Sequence, residues 1–139
     1  MTLKVQHVEV EYTPQLFAAV EKFIADGLDH TDDCNVDQVK VMLANGAWRL
    51  LVATDEQGDI QGAYVMALNS SMNDRTAVLV SAAGKGLASQ DAFDQVCDIA
   101  KMFGATRIQA LARESAARLY KRVGLTEKAT LMEKRLWAA

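Results

Sequence analysis

Three stretches of this 139-residue chain carry residue types and spacings that could do chemistry. The first is Gly84-Lys85-Gly86-Leu87-Ala88-Ser89, placed between an apolar run and a helical repeat. A helix N-terminus leaves backbone N–H groups without intrahelical partners and carries partial positive charge. Glycines let such a backbone approach a phosphate closely. The stretch therefore reads either as a pyrophosphate cradle or as a tight strand-to-helix turn that needs two glycines. It is not a P-loop, because Gly84-Lys85 is not followed by Ser or Thr, and it lacks the GxGxxG of a dinucleotide site. The second stretch runs from Arg113 to Leu125. In it Tyr120 stands at helical spacing from Ala116 and Val123, and by spacing alone it reads as a tyrosine at the edge of a core. The third, Asp26 to Cys34, holds four Asp, one His and one Cys. These are metal-ligand types, but no pair has a helical i,i+4 or CxxC geometry in this polar loop, so the segment reads as a solvated acidic loop and no metal is expected.

The elements that must hold these residues follow from periodicity. Leu3, Val5, Val8 and Val10 read as an N-terminal strand over 3–12 whose phase slips near His7. Thr13-Pro14 reads as an N-cap with proline at the first helical position, and Leu16, Phe17, Val20, Phe23 and Ile24 continue that helix to Gly27. Asn35 and Gln38 form a capping-box pair ahead of a short helix that ends at Asn45-Gly46. Three apolar runs, 47–53, 60–68 and 76–82, joined by short polar turns, read as an antiparallel meander buried on both faces, with helices covering the sheet. Phe93, Val96, Cys97, Ala100 and Phe103 mark a third helix closed by Gly104, Thr106 to Leu111 a strand, and Ala116 to Val123 a fourth helix closed by Gly124. Leu131 to Trp137 reads as a final, weaker strand. The strands flanking the third helix should be parallel, joined by a right-handed crossover, and the rest largely antiparallel. The fold class is α/β: a mixed, mostly antiparallel sheet flanked by helices on both faces, in one domain spanning 1–139.

Composition limits the function. Half the residues are apolar, 24% are charged and there is a single proline, which excludes a disordered or low-complexity chain. A formal charge of −3 excludes a domain-wide basic field, so no nucleic-acid partner is expected. No apolar run approaches the ~20 residues of a membrane span, and the start of the chain lacks a signal-peptide core, so no membrane partner is expected. Cys34 and Cys97 read as reduced thiols of a cytoplasmic protein. The basic residues Arg113, Arg118, Lys121, Arg122 and Lys128 read as a solvated helix face with cations near the negative end of the dipole. Trp48 and Trp137 read as core or interface packing, and His7 as structural or exposed.

The element order, with Gly86 and Ala88 after the third run of the meander and Ala116, Leu119, Tyr120, Gly124 and Leu125 further on, resembles the GNAT N-acetyltransferase superfamily. There a strand is followed by Arg/Gln-x-x-Gly-x-Gly/Ala, and later by Asn-x-x-Ala-x-x-Leu-Tyr and Gly-Phe. Ala83 stands where that pattern has Arg or Gln, and Arg113 where it has Asn. The resemblance implies an acyl-CoA-dependent N-acyltransferase with acetyl-CoA as cosubstrate and a small-molecule or peptide amine as acceptor. It implies that Gly84, Lys85, Gly86, Leu87, Ala88 and Ser89 hold the pyrophosphate by their backbone, in an opening between 76–82 and 106–112. A backbone N–H near Val80 or Ser81 would polarise the thioester carbonyl, Tyr120 would protonate the leaving thiolate, and basic residues, Arg113 included, would meet the 3′-phosphate. The loop 26–34 would line the acceptor site. A general base is not evident: 76–82 contains no Glu, Asp or His, Asp74 reads as a turn residue, and Gln109 cannot act as a base. Cys97 on an apolar helix face is a poor nucleophile. The alternative is a GNAT-like binding or structural module without catalysis, for example a component of a phage particle. A homodimer or larger assembly is open in either reading.

Overall fold

Alternation along the central strands sends apolar side chains to both faces of one sheet, and each face needs its own helical cover. A computed structural model describes residues 2–137. In chain order the elements are β1 (Lys4–Val8), a 3-10 turn (Val10–Tyr12), α1 (Thr13–Asp26), α2 (Val36–Ala44), β2 (Trp48–Thr54), β3 (Ile60–Ser70), β4 (Arg75–Gly84), α3 (Gln90–Met102), β5 (Arg107–Ala110) and α4 (Glu114–Arg122). The strands lie in the order β1-β2-β3-β4-β5. All neighbours are antiparallel except β4 and β5, which are parallel.

β2 shows how the two cores are divided. Leu50 and Val52 face α1 and α2, where they pack with Phe17, Val20, Ile24, Val39 and Leu43. Leu51 and Ala53 face α3, where they pack with Phe93, Val96 and Ala100. Each fully buried Leu, Ile, Val or Phe contributes about 1.5–3 kcal/mol, so the two layers together hold the sheet between them. Helix ends are fixed locally. Asn35 accepts from the Gln38 N–H at 3.0 Å while the Gln38 side chain accepts from the Asn35 N–H at 2.9 Å, completing the capping box. Gly104 takes φ +85° one residue past the C-cap of α3.

Two features of β4 shape the molecule around the glycine stretch. Val65 pairs with Ser81 and Met66 with Leu79, so Val80 is an extra residue, a β-bulge. The bulge shifts the alternation: Val80 joins the α1 side, and the next residue, Ser81, also points there, donating to the Ile24 carbonyl of α1 at 3.0 Å. The second feature is that β4 and β5 pair only from Thr76–Arg107 to Leu79–Ala110, although β4 continues to Gly84. The opposite end of the pair is pinned. Arg107 Nε donates to Thr76 Oγ1 at 2.6 Å, Thr106 Oγ1 donates to Asp74 Oδ1 at 3.0 Å, and Arg75 Nε donates to the Phe103 carbonyl at 2.8 Å. Clamped at one end and unpaired at the other, the parallel strands open beyond Leu79.

The structure corrects three sequence expectations. β1 stops at Val8 and the chain turns through Val10–Tyr12, where the Thr13 hydroxyl donates to the Val10 carbonyl at 2.7 Å; the phase slip marks the end of the strand. The N-cap of α1 is Tyr12, with Thr13 the first helical residue. Leu131 to Trp137 forms no strand. Leu131 and Met132 are adjacent and Glu133-Lys134-Arg135 follow, so in a strand the apolar residues would be split between two faces, each interrupted by charge; Leu136 and Trp137 are exposed, Trp137 at 88%.

Candidate active site at the opening between two parallel strands

The glycine stretch is a turn that only glycine can make. Gly84 has φ +140°, and a Cβ there would collide with the Gln61 carbonyl oxygen and Gly62 Cα on β3. Gly86 has φ +77°, a left-handed conformation costly for other residues. Two of the N–H groups of 84–89 are already paired: Lys85 donates to the Gln61 carbonyl at 3.0 Å and Ser89 to the Gly86 carbonyl at 3.2 Å. Among the described residues, the N–H groups of Gly86, Leu87 and Ala88 have no such partner. Ser89 caps α3, its hydroxyl accepting from the Ala92 N–H at 3.1 Å. The loop thus offers backbone donors in solvent next to a capped helix N-terminus.

Beyond the end of β4–β5 pairing lies a cavity of about 210 Å³. β4 contributes Leu79 and Ala82, α4 contributes Ser115, Ala116 and Tyr120, and the end of α1 with its following loop contributes Asp26, Gly27, Asp29 and His30. α1 can come this close because residue 27 is glycine: a Cβ there would collide with Ser81 Oγ and lie 2.7 Å from the Ala82 nitrogen. Tyr120 is half-buried, with its ring edge-on to Phe93 at 6.3 Å. Burial pushes its phenol above the usual tyrosine range, so at neutral pH it is a protonated donor. An adjoining cavity of about 360 Å³ shares Asp29, His30, Leu111 and Arg113 and adds Asp32, Asp33 and Glu133, giving an acidic rim. Arg135 ties the C-terminal segment to that rim through Asp32 at 2.6 Å. The thiols are remote from each other: Cys34 packs on the α1 side of the sheet and Cys97 on the α3 side, and burial raises the pKa of both. Among the described residues no three His, Cys, Asp or Glu converge on a metal-sized site.

No family model and no curated protein matches the sequence. Solved structures match over nearly the full chain. Glucosamine-6-phosphate N-acetyltransferase from Arabidopsis thaliana aligns at 14% identity and TM-score 0.64, covering 98% of this chain and 99% of its own. A predicted acetyltransferase with acetyl-CoA from Clostridium acetobutylicum aligns at 14% identity and TM-score 0.67, covering 97% of each chain. An aminoglycoside acetyltransferase from an uncultured soil metagenomic sample, in complex with sisomicin, aligns at 11% identity and TM-score 0.71, covering 99% of this chain and 97% of its own. This is the GNAT acetyltransferase fold.

Within the GNAT fold the residues singled out by sequence fall into two groups. Val80 and Ser81 sit at the bulge, where β4 has lost its β5 partner but still pairs with β3 from Ser81 onward, and Tyr120 lines the cavity beside them. Gly84 to Ser89 form the turn one strand-end away, at the head of α3. Arg113, the N-cap of α4, stands on the wall that the two cavities share, next to the acidic loop. Asp26, Asp29 and His30 reach the cavity itself, which spacing within the loop could not show because a helix end and a strand edge bring them there. Tyr64 is the residue that sequence reasoning passed over. It lies 2% exposed on β3 opposite Ala82, and its hydroxyl has no partner in the protein. Inside an apolar run a buried tyrosine and a buried phenylalanine look alike, and only the unsatisfied oxygen distinguishes this one.

Proposed function

We propose that the chain is an acyl-CoA-dependent N-acyltransferase that moves an acetyl group from acetyl-CoA to a small-molecule or peptide amine in the cytoplasm. The observation that carries this reading is the convergence, at one cavity, of the unpaired edge of β4 and the Tyr120 phenol. The free N–H groups of Gly86, Leu87 and Ala88 would receive the pyrophosphate, an interaction that needs no side chain at Ala83. Val80 leaves the ladder at the bulge while Ser81 stays paired with Val65, so of the two the Val80 backbone N–H is the one that would polarise the thioester carbonyl. The amine nitrogen attacks that carbon directly. The C–S bond then breaks with its electron pair on sulfur, and the Tyr120 O–H proton goes to the sulfur.

The acceptor side is the acidic rim, whose field attracts a cationic amine. Such an amine must shed a proton to attack. β4 has no base, but His30 lines both cavities and carries a ring nitrogen that can accept a proton. We assign it, with Asp29 beside it, to that step. The alternative, a non-catalytic module, draws on the pyrophosphate end, where Ala83 supplies no donor and Asp91 puts a carboxylate in the first turn of α3. Calorimetry with acetyl-CoA and desulfo-CoA, run beside thiol release over a panel of amines, separates the two. Binding with turnover of at least one amine supports the transferase. Neither binding nor thiol release moves the assignment to the module.

A further inference from the structure

We infer that Tyr64 is a positioning residue for Tyr120: its buried hydroxyl donates a hydrogen bond to the Tyr120 oxygen as Tyr120 gives up its proton. The inference rests on the transferase reading above. Its starting point is an unpaired group. Buried hydroxyls in folded proteins almost always find partners, and one that does not costs about 1–3 kcal/mol. The buried hydroxyls of the neighbouring strand β4 obey this rule: Ser81 donates to the Ile24 carbonyl and Thr76 accepts from Arg107. Tyr64 Oη does not, although the ring is 2% exposed and its oxygen is sealed from solvent.

The place of the unpaired oxygen gives it a use. Tyr64 pairs across the sheet with Ala82, and Ala82 lines the cavity together with Tyr120. Tyr64, Ala82, Phe93 and Tyr120 belong to one packed cluster whose other members are apolar. When Tyr120 protonates the leaving sulfur, its O–H bond breaks and a full negative charge remains on its oxygen. In so apolar a setting that charge needs a donor, and hydrogen bonds to charged groups are the strong ones. The two phenols are close enough for charge on Tyr120 to raise the pKa of Tyr64 further, on top of the larger effect of burial. Tyr64 therefore keeps its proton and acts as a donor. The nitrogen, cationic after attack, loses its proton through His30 to solvent, Tyr120 recovers one from solvent, and the reaction balances. The two oxygens are not bonded in the free protein, and catalytic hydrogen bonds commonly tighten only as charge develops.

The test is enzyme-dependent thiol release from acetyl-CoA with the amine of the panel above that the wild type turns over fastest, on the wild type, Tyr64→Phe, Tyr120→Phe and the double variant, with thermal unfolding of each. Tyr64→Phe is expected to lower kcat roughly 10- to 100-fold with KM for acetyl-CoA unchanged. Its unfolding midpoint should stay level or rise, because an unpaired hydroxyl has been removed. In the Tyr120→Phe background the same change should cost less than about twofold, since no charge then forms. An unchanged kcat in Tyr64→Phe, or an equal loss in both backgrounds, overturns the inference and leaves the transferase reading standing. No acetyl-CoA binding and no thiol release with any amine of the panel overturns both.

Discussion

At the glycine turn, the groups available to a ligand are the backbone N–H donors of Gly86, Leu87 and Ala88, set in solvent and held by two glycines with positive φ. At the other end of the same strand edge, the cavity offers side chains: Tyr120 at its wall, Asp29 and His30 at its mouth, and the Tyr64 hydroxyl sealed beneath. The first site is made of conformation and the second of functional groups. A backbone site tolerates changes of side chain and fails when φ is disturbed. A side-chain site tolerates modest backbone adjustment and fails when one oxygen is lost. By the same difference, a side chain as small as Ala83 beside the turn costs the backbone site nothing, whereas the cavity depends on the Tyr120 oxygen.

The contrast breaks most visibly at Tyr120. Tyr120→Phe keeps the ring against Phe93 and removes one oxygen, so unfolding should move little while kcat falls roughly 10²–10⁴-fold with acetyl-CoA affinity nearly unchanged. Equal losses in binding and rate would mean that the phenol only shapes the cavity. Next comes Gly86→Val, which acts through conformation. At φ +77° a β-branched residue costs about 1–2 kcal/mol in the free protein and tilts the donors away from a phosphate. CoA affinity by calorimetry should drop at least roughly tenfold. Gly86→Ala, with the smaller side chain and the same φ, should show most of that loss; if it binds CoA as the wild type does, the loop is a turn and nothing more.

Much of this was legible in the sequence because it is written in local pattern. The unbroken apolar run at Leu50-Leu51-Val52-Ala53 announces a strand buried on both faces, and the Asn35–Gln38 box and Gly104 mark helix ends where the structure has them. The parallel pairing of β4 with β5 followed from the helix between them. What was not legible depends on contacts between distant segments. The bulge at Val80 lies within a uniform apolar run and exists because Ser81 must reach Ile24 while Leu79 stays in the other core. Gly27 reads as a helix stop, yet the absence of its side chain is what lets α1 touch Ala82. The C-terminal apolar residues suggested a strand because composition was weighed without a partner edge, and the charged run after Met132 leaves them exposed.

Ser81 joins the two sites, and its substitution should have a smaller effect, on stability rather than chemistry. The Phe23 and Ala25 carbonyls of α1 accept from Gly27 and Leu28, whereas the Ile24 carbonyl accepts from the Ser81 hydroxyl. Ser81→Ala leaves that carbonyl buried without its side-chain donor, at a cost of about 1–3 kcal/mol in chemical denaturation. Because this contact also seats α1 against the bulge, KM for the amine should rise before that for acetyl-CoA. An unchanged stability would mean that the helix end relaxes to water and does not position the cavity.

The smallest effect is expected at Lys85, and its smallness is informative. Lys85 is the one cation within 84–89 and is exposed, with its N–H already committed to Gln61. If the loop binds by backbone, the ammonium adds only a screened surface attraction, of the size of an exposed ion pair, about 0.2–1 kcal/mol. Lys85→Ala should then weaken CoA binding by no more than about fivefold at low ionic strength. The difference should vanish near 1 M salt, where the Debye length falls to about 3 Å. A loss that is much larger, or that survives high salt, would mean that the lysine side chain holds the phosphate directly. The glycine turn would then belong with the cavity as a site of functional groups, and the contrast between the two ends of the slot would be lost.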